Sequence, residues 1–389
     1  MAIIVQHKEL LSPIGNEPHA FAKFIIDAKK YPATIIEEIA IGQTLGAWEE
    51  QFVSKQVLIA KVAKIIDYSK DENFHTVTLA FPINTWQGKL SWLLAILFGK
   101  MSFYENIQLN SVWFSKDCFA EGILQGPKWN ADLLRLKTGA FANQPLLMGI
   151  LKPNVAMEDQ KICDLYLQAA EAGLHLLKDD EIRHDQSFAA TLKRTELIAT
   201  TANKRNLKTL YAVHFQLDCL HFKEQLRAIE NAGAQALLIN TWTSGIDFLQ
   251  EMRKLTTLPI LSHPALVGAF GIRTHASTIH PRVTLAQFLR AAGADLSLFP
   301  SPYGKLGLDK EVALDIAQNC RQMNDHWQIN PTIPVPSAGI KPEHAMQAKK
   351  DFGKDFVLNA GTGIFANMNG ISTSIKQFKE ELDKNETIS

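Results

Sequence analysis

The chain has 389 residues, 46% hydrophobic and 21% charged, enough apolar material for one large domain and a small one. Its 40 Lys and Arg balance 40 Asp and Glu, and no basic run is interleaved with aromatics, so neither nucleic acid nor a membrane surface is an expected partner. Four scattered cysteines (Cys118, Cys163, Cys219, Cys320), no signal-peptide pattern and no apolar run of spanning length point to a reduced, cytoplasmic protein.

Residues 1–135 read as an α+β (ferredoxin-like) domain. Residues 18–30 carry Phe21, Phe24, Ile25 and Ala28 at helical spacing and are expected as a helix. Residues 40–48 are punctuated by glycines. Residues 56–68 read as a strand, 76–81 as an alternating strand, 90–98 as an apolar helix ending near Gly99-Lys100, and 107–114 as a further strand. Strands and helices without regular alternation suggest an α+β module.

From about residue 144 the pattern changes. Short β-rich runs recur at 146–151, 174–177, 209–215, 236–241, 258–262, 296–300, 333–336 and 356–359. Helical stretches fall between them at 160–172, 188–203, 222–232, 245–254, 285–292, 310–319 and 342–351. Eight strands alternating with helices predict an α/β domain over residues 136–389, a (β/α)8 TIM barrel. A doubly wound sheet is the alternative, and eight repeats favour closure.

In a barrel the chemistry sits at the C-terminal strand ends. Those ends read Lys152-Pro153-Asn154, Lys178-Asp179-Asp180-Glu181, His214, Asn240, His263-Pro264, Ser301-Pro302-Tyr303-Gly304-Lys305, Ser337-Ala338-Gly339 and Asn359-Ala360-Gly361-Thr362-Gly363. Side chains alternate across a strand, so Lys178 and Asp180 share one face, Asp179 takes the other, and Glu181 lies just past the end. Charge at the end of an apolar strand is costly unless it is paired or binds a metal. Carboxylates suit Mg2+, and a lysine joins them only as an anion, such as a carbamate formed from CO2. The other reading is a Lys–Asp ion pair capping the strand.

The loops at Ser337-Ala338-Gly339 and Gly361-Thr362-Gly363 follow the seventh and eighth runs, the usual place for a phosphate, although two ordinary turns would look similar. Lys152 could polarise a carbonyl, stabilise an enolate or touch a phosphate. His263 could hydrogen-bond substrate, and Lys305 sits on a long loop that could form a lid. A solvated lysine or a structural histidine is the plainer reading of each. Lys100, outside the barrel, is by itself a cation at a helix C-terminus. His214, Cys219 and His221 lack the fourth ligand and short spacing of a zinc site. No Gly-x-Ser-x-Gly or Walker motif supports serine-elbow or P-loop chemistry.

The segment from Gly173 through Leu174, His175, Leu176, Leu177, Lys178, Asp179 and Asp180 to Glu181 resembles the metal-binding signature of the RuBisCO superfamily. Ile150-Leu151-Lys152-Pro153-Asn154 resembles its Lys-Pro-Lys segment, with Asn154 in place of the second lysine. Within the superfamily, four segments are most similar to the RuBisCO-like 2,3-diketo-5-methylthiopentyl-1-phosphate enolases of methionine salvage. They are Leu97-Phe98-Gly99-Lys100, His263-Pro264-Ala265, the stretch from Leu298 to Gly304, and Val335-Pro336-Ser337-Ala338-Gly339-Ile340. There are departures. Lys305 and the Lys152-Pro153-Asn154 segment stand closer to the carboxylases. Thr362 replaces a glycine of the phosphate loop, and Ala366-Asn367-Met368 replaces Gly-His-Pro.

The resemblance implies a magnesium-dependent keto–enol tautomerase of the isomerase class. It would convert 2,3-diketo-5-methylthiopentyl-1-phosphate to 2-hydroxy-3-keto-5-methylthiopentenyl-1-phosphate. It implies one Mg2+ per subunit, held by Lys178 carrying CO2 as a carbamate and by Asp180 and Glu181. Lys100 would be the base that removes the C1 proton, and Lys152 would help to neutralise the enolate. His263 would contact substrate, and Ser337, Gly339, Gly361 and Thr362 would hold the phosphate. The small domain of one subunit would cover the barrel of its neighbour, so a homodimer with shared active sites is expected. The alternatives are another enolate reaction on a sugar phosphate, either 5-methylthioribulose-1-phosphate isomerisation or a carboxylation or decarboxylation, and a non-catalytic phosphate binder on the same barrel.

Overall fold

Strand β1, His19–Asp27, alternates between a buried set (Ala20, Ala22, Phe24, Ile26) and a half-buried set (Phe21, Lys23, Ile25). This corrects the helix expected over 18–30. The same apolar residues fit both periods, but the segment lies in mid-sheet, where neighbours on both sides pair its backbone. The strand expected over 56–68 is also corrected. It is a helix, Lys55–Lys61, burying only Leu58, followed by strand β2, Lys64–Lys70. A short apolar run does not distinguish the two. Strands β3 (Phe74–Pro82) and β4 (Ile107–Phe114) match their expected positions. The sheet order β4-β1-β3-β2 is antiparallel. Helices lie between β1 and β2 and between β3 and β4, giving the βαββαβ arrangement of a ferredoxin-like domain.

The computed structural model describes residues 5–215, 218–271, 277–304, 306–324 and 327–384. All eight expected barrel strands are present: β5 (Leu146–Ile150), β6 (Leu176–Lys178), β7 (Leu210–His214), β8 (Ala236–Ile239), β9 (Ile260–Ser262), and, after the two-residue β10 (Thr278–Ile279), β11 (Leu296–Pro300), β12 (Ile333–Ser337) and β13 (Val357–Ala360). They pair in parallel in the order β12-β11-β9-β8-β7-β6-β5-β13. The strand β10, not anticipated from the sequence, leaves the barrel and extends the first sheet by pairing with β4.

Strand alternation sorts the barrel side chains into two cores. Leu146, Met148, Leu176, Leu210, Ala212, Leu238, Leu298 and Val335 point inward, and Leu134 of helix Ala131–Thr138 packs against them. Leu147, Leu177, Tyr211, Val213, Leu237 and Leu358 join the larger core.

The barrel is nearly closed, with a seam between β12 and β13. Ile333 donates its N–H to Asp295 and Ser337 accepts from the Ser301 N–H, so the odd-numbered residues of β12 face β11. The residues facing β13 are then Pro334 and Pro336, which have no N–H to donate.

The helix Leu90–Leu94 of the small domain docks on helix Ile246–Leu255. The Ser91 N–H and hydroxyl both donate to Asp247, and Gln250 donates to the Gly88 carbonyl. The chain then widens through Ala95–Gly99 and ends in the tight turn Lys100–Phe103. Among the described residues, no helix is long and apolar enough to cross a membrane.

Candidate active site

The inward parity of each strand carries on past its end. A cavity of about 290 Å³ opens there. Its walls include Lys152 after β5, Lys178 and Glu181 at β6, and His263 after β9. The same cavity is lined by Ser337, Ala338 and Gly339 at β12, and by Asn359, Gly361 and Thr362 at β13, the strand that pairs with β5. Asp180 meets this set through Lys152, whose Nζ lies 3.4 Å from Asp180 Oδ2. Lys100 is not among the lining residues. It is exposed on the tight turn of the small domain. Lys305 lies outside the described residues.

Lys178 is buried, with Nζ 3.1 Å from Glu181 Oε2 and 3.0 Å from the Asp179 carbonyl oxygen. Burial drives its amine below the usual lysine range, against the pull of Glu181. Burial alone would raise Glu181, but Lys178 and His263 outweigh it and hold that carboxyl at about 2. Asp180 is pushed up by burial and by the adjacent Glu181. Burial also lowers His263 to about 4, so its ring is neutral near pH 7, with Nε2 3.4 Å from Glu181 Oε2.

These groups fit a hard cation. Asp180 Oδ1 is buried with no hydrogen-bond partner, a state that costs free energy unless something occupies it. The available donors are carboxylate oxygens, which suit Mg2+. Among the described residues, no three His, Cys, Asp or Glu side chains converge for a metal. Lys178 would join Asp180 and Glu181 as a ligand only as an anion, such as a carbamate.

In the first loop, Ala338 and Gly339 both adopt left-handed backbone, at φ 68° and 71°. The Ser301 hydroxyl donates to the Ala338 carbonyl at 3.0 Å and steadies this turn. In the second loop a Cβ on Gly361 would lie 2.6 Å from Ile150 Cγ2, and one on Gly363 would lie 2.3 Å from the Ile340 carbonyl oxygen. Both positions require glycine. Thr362 between them is exposed, which accounts for a side chain being tolerated there. The loop leads into the short turn Thr362–Phe365, whose first N–H groups have no acceptor within the turn.

Sequence reasoning missed the polar cage behind β6. Asp179 points outward, as alternation requires. Its Oδ1 accepts from the Tyr211 hydroxyl and from Asn154 Nδ2, and its Oδ2 accepts from Arg194 Nη2 and the His214 N–H. Arg194 also grips Asp185. Arg183 binds Asp185 and Asp159, and donates to the Asn154 carbonyl at 2.6 Å. A buried acid beside a metal-type motif was the available signal, but its partners come from separate segments. Asn154, the basis for comparison with the carboxylases, is thus spent on Asp179 and does not line the cavity. His214 donates from Nδ1 to the Arg183 carbonyl, and burial lowers its pKa. Asn240 donates to the Glu181 carbonyl at 2.9 Å.

Residues 134–384 match the family model described as ribulose bisphosphate carboxylase large chain, catalytic domain. The chain is 34% identical over 359 residues to the 2,3-diketo-5-methylthiopentyl-1-phosphate enolase of Bacillus licheniformis, covering 89% of this chain and 87% of that one. The enzyme of the same name from Exiguobacterium sibiricum is 33% identical over 355 residues, covering 89% and 88%. Among solved structures, a rubisco-like protein (MtnW) from Alicyclobacillus acidocaldarius aligns with a TM-score of 0.81 at 28% identity, over 95% of this chain and 93% of that one. Octameric ribulose-1,5-bisphosphate carboxylase/oxygenase from Pyrococcus horikoshii aligns at 0.83 with 20% identity, over 96% and 89%, a likeness of fold. The resemblance read from the strand-end motifs is borne out.

Proposed function

Since the chain belongs to the ribulose bisphosphate carboxylase large-chain family, we propose that it is a 2,3-diketo-5-methylthiopentyl-1-phosphate enolase of methionine salvage, a cytoplasmic keto–enol tautomerase of the isomerase class. One observation carries the reading. One cavity brings together a lysine and carboxylate cluster of metal-binding character and two tight glycine loops suited to a phosphate. Relatives over most of the chain bear that enzyme name.

Lys178, Asp180 and Glu181 would hold Mg2+. Burial favours the neutral Lys178 amine, the form that adds to CO2 to give a carbamate and release one proton. When bound, the metal supplies Lewis acidity to the adjacent carbonyl oxygens of a diketone. The Ser337–Gly339 and Gly361–Thr362 loops hold the 1-phosphate through small-residue backbone and the Ser337 hydroxyl. Lys152, beside Asp180, places a cation where negative charge builds on the substrate oxygen. His263, neutral, hydrogen-bonds substrate without adding charge. The proton leaves C1 to Lys100 and is returned at the C2 oxygen. Lys100 is exposed on the small domain and does not line its own barrel's cavity, which supports its delivery by a second copy of the chain in a homodimer.

Proton NMR of the diketo phosphate in D2O tests the reading. With Mg2+ and bicarbonate, wild type exchanges C1–H and forms the enol, and Lys100→Ala does neither. A wild type that shows neither signal would overturn it.

A further inference from the structure

The two phosphate-type loops leave the barrel on either side of its open seam. Across that seam Pro334 and Pro336 have no N–H to offer, and β12 and β13 form no ladder. Among the described residues, one hydrogen bond spans it: Asn359 Nδ2 donates to Ser337 Oγ at 3.0 Å. We propose that Asn359 is a positioning residue that aims the Ser337 hydroxyl at the substrate phosphate and sets the spacing of the two loops. The phosphate's place in these loops rests on the enolase reading.

The orientation of the amide follows from proton counting. A serine hydroxyl has one proton and two lone pairs. The Ser337 hydroxyl donates to the Val335 carbonyl at 3.3 Å, so its oxygen is left to accept, and the amide must present Nδ2. Asn359 is buried, and its Oδ1 has no partner that would turn the amide elsewhere. The bond to Val335 is long, near the limit of a hydrogen bond. An arriving phosphate oxygen can take that proton by a rotation of the hydroxyl alone, while the Asn359 bond keeps Ser337 Oγ in place. The cavity then receives a donor already aimed at an anion.

The test uses inorganic phosphate as the probe, by calorimetry, together with steady-state kinetics on the diketo phosphate. Loss of an aimed, charge-assisted hydrogen bond is expected to weaken phosphate binding and raise KM about tenfold in Asn359→Ala, with kcat held within about threefold. Ser337→Ala should show the same split. The double variant should be no worse than the weaker single, because both remove one device. Asn359→Leu, of similar shape but without a hydrogen bond, repeats the comparison if the alanine variant folds poorly. Additive losses, or phosphate affinity in Asn359→Ala within about twofold of wild type, would overturn the proposal. A merely structural role would lower kcat along with thermal stability and spare the KM ratio, which also overturns it. Wild type that binds phosphate without enolising the substrate would sink the enolase reading, while the phosphate arm still decides the role of Asn359. Wild type that enolises the substrate yet binds no phosphate would overturn the role given to Asn359 and leave the enolase reading standing.

Discussion

Asp179 Oδ2 and Arg194 Nη2 lie 3.2 Å apart, and neither side chain is exposed to solvent. The pair sits on the outer face of β6, directly behind the inward-facing Lys178 and Asp180. Through Asp179 it also ties down the Tyr211 hydroxyl, the Asn154 amide and the His214 N–H. The strand end carrying the metal-type residues is therefore fixed from behind by charge and not by packing alone.

Removing one partner of a buried ion pair leaves the other uncompensated. Arg194→Met is expected to cost about 3–5 kcal/mol of folding stability, read as a lowered denaturant midpoint. A loss of less than about 1 kcal/mol, the level of an exposed pair, would show that the cage is dispensable.

His175, at the entry to β6, accepts the Leu147 N–H through Nδ1 at 2.9 Å. Burial, aided by Lys379, pushes its pKa from the ordinary 6.5 down to about 4. Folded His175 thus takes up its proton at lower pH than the unfolded chain does. The contribution to stability is complete above pH 6.5 and is lost as pH falls toward 4, a change of about 3 kcal/mol. His175→Gln can keep an acceptor without titrating. Its stability should fall less steeply than that of wild type across this window, in paired denaturation curves. Parallel curves would remove His175 from the acid response.

Lys178 should control the response to Mg2+ and bicarbonate. Wild type loses activity on chelation and regains it with both. Lys178→Met is expected to fall by more than about 100-fold and to ignore bicarbonate. Labelled bicarbonate with Mg2+ should give a carbamate carbon signal by NMR in wild type and none in the variant. The same signal in Lys178→Met would place the carbamate elsewhere.

Sharing of Lys100 between subunits predicts complementation. Lys100→Ala and Lys178→Ala are each inactive alone. Mixed and reassembled, half the dimers carry one intact site of two, so activity should recover to about a quarter of wild type. No recovery in mixed dimers would count against a site completed by a second copy.

Much of the barrel was legible in the chain because it rests on short-range order. Eight β-rich runs alternate with helices, and within a strand the face of each side chain is set by counting residues. Lys178 and Asp180 inward and Asp179 outward follow from that count, as does the meeting of the strand-end residues in one cavity. Where a local pattern fitted two structures, tertiary contacts decided. The apolar residues of 18–30 became a strand because β3 and β4 pair with it on both sides. The run at 56–68 divided into helix and strand. No local signal marked β10, whose pairing joins residues far apart in sequence. The same holds for function. The types of the metal and phosphate residues are written at strand ends. The cage around Asp179, the Asn359–Ser337 bond across the seam and the exposed position of Lys100 exist only once distant segments meet. Periodicity constrains a side chain's face, but its hydrogen-bond partner is set by chain closure over many residues.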